Sequence, residues 1–459
     1  MRIGLNLLLG SAWAGLSVLF LAAVISDANA ETPEEAENAG RLEDLEEQVE
    51  ILADEVGRLE SIFAVPEESA LESVHGLGPA ASKVYKKDHG LSIGGYGEIR
   101  LRSFQNTKDD DQNDVFDALR AVFYVGYKFN ENWVFNSEIE FEHAGGDGGS
   151  VSAEFLTLDY LWRDEANLRM GLVLVPMGFI NEIHEPNFFF GAERPEVERV
   201  ILPSTWRENG VGIFGRIADR ISYRAYVING FKGADFTSNG LRAGRQKGSR
   251  ALANDFAFVA RVDVDVAPGL LLGGSIYTGQ SGQEEDFKSP IDGITRSLPD
   301  AMTTIYELHL QYKGYGVSIR GLWTEAFVDE AGRLSRALDK SYIPGGGGTR
   351  VFDVSNPDQA IAQQMRGWYV EVAYDILPLF HEETRMSLEP YFRYERYDTQ
   401  RDVSDLLYRA DKSKDIELYV AGLQFKPIPQ IVLKLDYRHF DPAKGHRADE
   451  VQALVGYVF

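Results

Sequence analysis

From Gly90 onward the chain alternates apolar and polar residues over runs of roughly ten. The last run has Val451, Ala453, Val455, Tyr457 and Phe459 at every second position. Period two sends successive side chains to opposite faces, one apolar and one mixed. The spacing predicts sixteen strands, at about 90–105, 114–129, 133–145, 151–163, 168–178, 209–219, 221–231, 255–267, 270–281, 302–313, 316–328, 366–377, 385–399, 415–426, 430–441 and 448–459. Turns such as Asn130–Asn132, Asp219–Arg220 and Pro268–Gly269 are short, and the connections alternating with them, notably 179–208, 232–254, 282–301 and 329–365, are long. The expected fold is all-β, a 16-stranded antiparallel transmembrane β-barrel, which alternates short periplasmic turns with longer external loops.

Phase assigns the faces. Leu119, Ala121, Phe123, Val125, Tyr127 and Phe129 form one apolar row, leaving Arg120 inward. Arg261, Asp263 and Asp265 face the lumen opposite Phe256 to Val266, as do Lys434, Asp436 and Arg438 opposite Ile431 to Tyr437. A charge on the lipid face costs ~2–4 kcal/mol at mid-bilayer, so this phase is strongly fixed. Further lumen candidates are Arg100, Arg102, Arg224, Arg320 and Arg393, against Glu98, Glu138, Glu140, Glu307, Glu371, Glu389 and Glu395. Mixed charge is normal for a wetted interior, and opposite signs on neighbouring strands can simply pair.

Ahead of the barrel, residues 1–30 read as a secretory signal peptide: Arg2, an apolar stretch, then Ala28-Asn29-Ala30 as the cleavage site. Residues 31–63 form an acidic segment with heptads, Leu42, Val49, Val56 and Phe63 at a and Leu45, Leu52 and Leu59 at d. This predicts a short periplasmic coiled-coil helix. Valine at a with leucine at d favours two strands, whereas a trimeric barrel would impose three; the heptad alone leaves both open. Residues 64–89, with Pro66, Gly76, Gly78 and Pro79, read as a linker, and 90–459 as the barrel.

Composition adds exclusions. No run beyond the first segment approaches the ~20 apolar residues of a membrane helix, and mean hydropathy is −0.23. There is no cysteine, hence no disulfide, thiolate metal site or cysteine nucleophile. Residues 31–75 carry 15 Asp and Glu against Arg41 and Arg58, so about half of the net −25 lies ahead of the barrel and says little about the pore. No basic patch with interleaved aromatics argues for nucleic acid.

Two loops carry the candidate chemistry. The connection 179–208 is too long and apolar for a simple hairpin loop, with His184, Phe188 to Phe190, Arg194, Arg199, Trp206 and Arg207. It either folds into the lumen as a constriction or packs over the rim or a neighbouring protomer. The loop 232–254 sets Lys232, Arg242, Arg245, Lys247 and Arg250 against Asp235 alone. A locally basic mouth draws anions; contact with lipopolysaccharide or with a neighbouring molecule is the alternative.

Other motifs carry little. Gly210-Val211-Gly212-Ile213-Phe214-Gly215 matches a dinucleotide fingerprint but opens a strand rather than a helix. His184-Glu185 and His381-Glu382 lack the second histidine of a zinc helix. Asp109 to Asp111 with Asn113 and Asp114 reads as a solvated acidic loop rather than a calcium site. No cofactor, no metal and no enzymatic activity are expected.

The Ala-x-Ala signal, the heptads from Leu42 to Phe63, Gly94-Gly95-Tyr96-Gly97-Glu98 opening the barrel and the sixteen-strand plan resemble the DcaP-like porins, broadly the phosphate-selective porins O and P. The resemblance covers most of the mature chain and implies a homotrimer with anionic or dicarboxylate substrates. The expected function is passive diffusion of small hydrophilic solutes, preferring anions such as organic acids or phosphate, in the bacterial outer membrane among lipid and lipopolysaccharide. Constriction candidates are Arg194, Arg199 and Arg207 from the loop and Arg100, Arg120 and Arg261 on the wall, holding carboxylate or phosphate by paired hydrogen bonds. A structural barrel gripping a periplasmic partner through the coiled coil, or a sugar-preferring or non-selective channel, are the competing readings.

Overall fold

The computed structural model describes residues 41, 45, 47–53 and 55, and residues 71–459 apart from 108–111, 144–147, 289–292, 339–341, 345–349, 353–359, 382–383 and 404–408. The chain divides into two units, Met1–Ala64 and Val65–Phe459. In the first, the described residues are helical, with Leu45, Val49 and Leu52 exposed. The signal peptide and the remaining heptad positions lie outside the described residues, as does most of the acidic loop at 109–111.

The second unit is built on one closed antiparallel barrel of sixteen strands. In chain order they are β1 (Gly90–Gln105), β2 (Val115–Lys128), β3 (Trp133–Glu142), β4 (Ser150–Arg163), β5 (Ala166–Leu174), β6 (Arg207–Ile217), β7 (Ile221–Asn229) and β8 (Phe256–Ala267). The circuit continues with β9 (Leu270–Gly279), β10 (Thr303–Gly314), β11 (Val317–Val328), β12 (Gln364–Tyr374), β13 (Ser387–Asp402), β14 (Asp415–Ile428), β15 (Ile431–Pro442) and β16 (Asp449–Val458). Each strand pairs with the next, and β1 closes on β16 from Tyr96↔Val458 to Gln105↔Asp449. No edge is left to pair with another chain.

Alternation is visible residue by residue. Along β15, Ile431, Leu433, Leu435 and Tyr437 are exposed while Lys434, Asp436 and Arg438 are buried. On β8, Phe256, Phe258 and Val262 are exposed, with Arg261 and Asp263 buried. The outer surface is thus apolar and the inner one charged. Inner charges pair between neighbouring strands: Arg120 on β2 lies 3.3 Å from Glu98 on β1 and 3.2 Å from Glu140 on β3.

Most connections at one barrel end are tight, such as 129–132 and 268–269, and those at the other are long. Two long connections contain small hairpins, Asp286–Lys288 with Thr295–Ser297 and Tyr342–Pro344 with Arg350–Phe352, and one contains a helix, Ala331–Ala337. None of these has a signature in the alternation. The stretch 64–89, read from sequence as linker, is partly built into the barrel: Leu77, Ala80, Ala81 and Val84 are buried, Pro79–Ser82 being a turn of helix.

Candidate channel constriction

The connection between β5 and β6, residues 175–206, lies within the lumen. Its apolar half packs Val175, Met177, Val197, Ile201, Leu202 and Trp206 into one cluster with Tyr226, Tyr277, Ile305, Tyr369 and Leu418 of the wall. Its polar contacts reach strands all round the barrel, which is possible only from inside. His184 Nε2 is 2.9 Å from Glu138 Oε1 on β3. Arg224 on β7 lies 3.1 Å from Glu182. Arg320 on β11 donates to Phe188 O at 2.6 Å, and Tyr369 on β12 donates to Glu198 at 2.6 Å. Arg393 on β13 donates to Phe190 O at 3.1 Å, and Lys434 on β15 to Phe189 O at 2.7 Å. Wall side chains therefore serve as donors for loop carbonyls that would otherwise be buried without partners.

Two boundaries differ from the sequence expectation. The β5–β6 ladder runs on to Leu174↔Arg207, so the connection starts and ends earlier than 179–208. Arg207, expected in the loop, is the first residue of β6. Proline and glycine punctuation around 175–208 gave no sign of this, because strand ends are set by pairing with the neighbouring strand.

Above the loop, at the end with long connections, lies a cavity of about 580 Å³ lined by Arg120, Arg194, Arg199, Arg207, Arg242, Arg245 and Lys247, against Glu140, Glu142, Glu154 and Glu193. A second cavity of about 910 Å³ shares Arg199, Arg242, Arg245 and Lys247, adds Lys414, Lys444 and Arg447, and has no carboxylate in its lining among the described residues. Four of the six candidate arginines, Arg120, Arg194, Arg199 and Arg207, thus meet at one cavity. Arg100 instead bonds Glu193, which lines the same cavity. Arg261 lies in a different chamber, of about 620 Å³ at the short-turn end, with Arg224 and Arg320.

Ion pairing separates these cations into two kinds. Arg207 is bonded to Glu154, Arg199 lies 2.5 Å from Glu196, and Arg261 lies 2.9 Å from Asp263. Arg194, Arg242, Arg245 and Lys247 have no carboxylate partner among the described residues. The Arg194 Nη2 atom is buried without any hydrogen bond. Arg242 and Arg245 spend their donors on neutral acceptors: Arg242 on Ser204 O (2.6 Å) and Arg199 O (3.2 Å), Arg245 on Ser204 O (2.7 Å) and Thr205 O (2.9 Å). Burial, then the nearby charges of Arg199 and Arg194, pull Arg242 down to about 10. Burial, then Arg242 and Arg207, pull Arg245 down to about 9, still cationic at neutral pH. Of the carboxylates facing them, Glu193 stays ionised: burial pushes it up, but Arg100, Arg438 and Arg102 outweigh it and hold it at about 2.

The basic stretch 232–254 was visible in sequence, whereas Lys414, Lys444 and Arg447 were not. They come from the connections after β13 and β15 and join the cluster only when the barrel closes. The Gly210–Gly215 run lies inside β6, so it presents no helix to a phosphate.

No family model matches this chain. An uncharacterized protein of Aquifex aeolicus (strain VF5) is 37% identical over 392 residues, spanning 84% of this chain and 83% of that one. The chain belongs to the family of that Aquifex protein. Among solved structures, Salmonella typhi OmpF in complex with daunomycin aligns with a TM-score of 0.51 at 11% identity, over 82% of this chain and 99% of that one. The loop L8 deletion mutant of OmpT, an outer membrane protein of Vibrio cholerae, aligns at 0.50 and 13% identity, over 81% and 100%. The outer membrane channel DcaP of Acinetobacter baumannii aligns at 0.46 and 13% identity, over 80% and 97%, and carries no weight here. The likeness to OmpF and OmpT is one of fold: this member of the Aquifex family has a porin-like barrel.

Proposed function

We propose that the protein is an outer-membrane channel, not an enzyme, through which small hydrophilic solutes diffuse passively, with preference for small anions such as organic acids or phosphate. The observation that carries this is the cavity at the long-loop end, lined among the described residues by seven lysines and arginines and by no carboxylate. A concave surface of one sign focuses the field and raises the local concentration of the opposite ion. Arg242 and Arg245 in this cavity, and Arg194 in the neighbouring one, add positive charge that no carboxylate among the described residues pairs, which favours a carboxylate or phosphate. The apolar exterior supports placement in a membrane, and the short-turn end is assigned to the periplasm by analogy with other barrels of this kind. The heptads support assembly of several copies, a homotrimer being the expected form.

Reversal potential across a potassium chloride gradient, with the purified protein in a planar bilayer, tests the reading. An anion-selective current is expected. A cation-selective or neutral current removes the anion preference while leaving the channel. A silent, correctly folded barrel refutes the channel itself and favours the structural reading, for which the lumen-crossing segment 175–206 is the supporting observation.

A further inference from the structure

A wetted barrel interior is polar, and the lumen wall here follows that rule with Glu138, Arg261, Glu307, Arg320, Glu371, Arg393 and Lys434. The exceptions include a second cluster, separate from the one that packs against the lumen loop. Tyr96 on β1, Val122 and Tyr124 on β2, Phe155 on β4 and Val458 on β16 all share the inward phase, all are apolar or aromatic, and all are buried. What covers them is Leu77, Ala80 and Ala81 of the segment preceding β1.

The backbone of the wall is shaped to take this segment. A Cβ on Gly126 would stand 2.7 Å from the Val84 side chain, and one on Gly94 would stand 2.8 Å from the Ala80 carbonyl oxygen. Polar anchors hold it from both sides. Asn136 on β3 donates to Ala81 O at 2.8 Å, and Tyr85 donates to Asp159 on β4 at 2.7 Å. Arg169 on β5 donates to Tyr85 Oη at 3.2 Å, and on the loop side Ala80 N donates to Glu185 at 3.2 Å. The segment thus wedges between the wall and the lumen loop. Leu71, Ser73, Val74, His75, Gly76 and Pro79 then line the chamber at the short-turn end.

We propose that residues 71–86 are a fixed part of the pore lining, which sets the size limit of the channel at its short-turn end, rather than a tether or a gate that leaves the lumen. Withdrawal would expose the apolar wall patch to water and leave Asp159 and Asn136 without these partners. The proposal rests on the channel reading for its effect on conduction, but the position of the segment can be tested apart from it.

The chain has no cysteine, so single-cysteine variants are clean. In membrane-reconstituted protein, Ala81→Cys should react with a charged thiol reagent at least about tenfold more slowly than Ser73→Cys, since a docked group reacts only through local opening. Val84→Cys serves in place of Ala81→Cys if the latter fails to assemble. Attaching a bulky reagent at Ser73→Cys should lower single-channel conductance and shrink the largest solute admitted. Equal labelling rates would show that the segment leaves the lumen and overturn the proposal. Complete modification at Ser73→Cys with unchanged conductance would overturn its role as pore lining. If the unmodified protein is silent, the channel reading fails, and the labelling rates, read by mass, still decide whether the segment is fixed.

Discussion

Arg242 and Arg245 donate to the same acceptor, the carbonyl oxygen of Ser204, at 2.6 and 2.7 Å. Two guanidinium groups are thereby held side by side with no carboxylate between them, on the last residues of the lumen loop. Like charges kept together by backbone acceptors form a preorganised place for an anion, because the cost of bringing them together is met in folding. Replacing both by glutamine should lower the anion-to-cation permeability ratio by on the order of tenfold, the lower end of what a focused field of one sign achieves. Reversal potentials of Arg242→Gln/Arg245→Gln against the parent check this, and an unchanged ratio assigns the selectivity elsewhere. Arg207→Ala alone should do less, since Glu154 already neutralises that guanidinium.

Arg393 is fully buried and donates to Phe190 O and to Glu193 O of the lumen loop while lying 2.8 Å from Glu395. Arg393→Ala would leave the buried Glu395 without its cation, while Glu371 keeps Arg320 at 3.5 Å, a loss of ~3–5 kcal/mol for a broken buried pair. The expected result is a lower urea midpoint and a noisier, larger conductance as the loop loosens. Arg393→Lys should recover little, because a lysine has no fork to serve several acceptors. Wild-type conductance in Arg393→Ala would mean that other anchors suffice.

Glu185 sits against the amino-terminal segment, and burial, followed by the negative charge of Glu138, pushes its carboxyl up to about 8. The folded state therefore favours the protonated form. Its contribution to stability is full below the ordinary carboxylate range and is lost as pH rises through about 8. The thermal midpoint of the parent should fall as pH rises from the ordinary carboxylate range to about 8, and Glu185→Gln should flatten that fall. A parallel pH profile for the two proteins would remove Glu185 as the cause.

Val262 is exposed on the outer face between Arg261 and Asp263, which are buried on the inner one. Val262→Arg should cost ~2–4 kcal/mol if the site lies near the bilayer midplane. Folding equilibria in lipid vesicles would measure it. A cost near zero would place β8 outside the hydrocarbon region and undermine the membrane assignment.

Alternation made the wall legible before any coordinates. Strand number, order and facing follow from local period, because a slipped register would turn Arg261 and Asp263 into lipid while burying Val262. The basic character of 232–254 was equally local. The arginines could be named as lumen candidates for the same reason, but not which of them were neutralised. Whether Arg207 meets Glu154, or Arg199 meets Glu196, is a matter of height on the wall and of how the loop turns.

The destination of the long connections is different in kind. Phe190 and Arg393 are separated by 203 residues, and their contact exists only when the barrel has closed and the loop has turned inward. No periodicity records it, since an inward loop and a loop over the rim satisfy the same local pattern. The segment 71–86 is short, rich in small residues and without alternation, so it read as linker until the apolar patch it covers appeared on the far side of the wall. Alternation settled the barrel and its two faces because each strand pays for a wrong phase on its own. Tertiary closure alone decided what fills the lumen and where uncompensated charge is left, because those depend on partners brought together across the full width of the barrel.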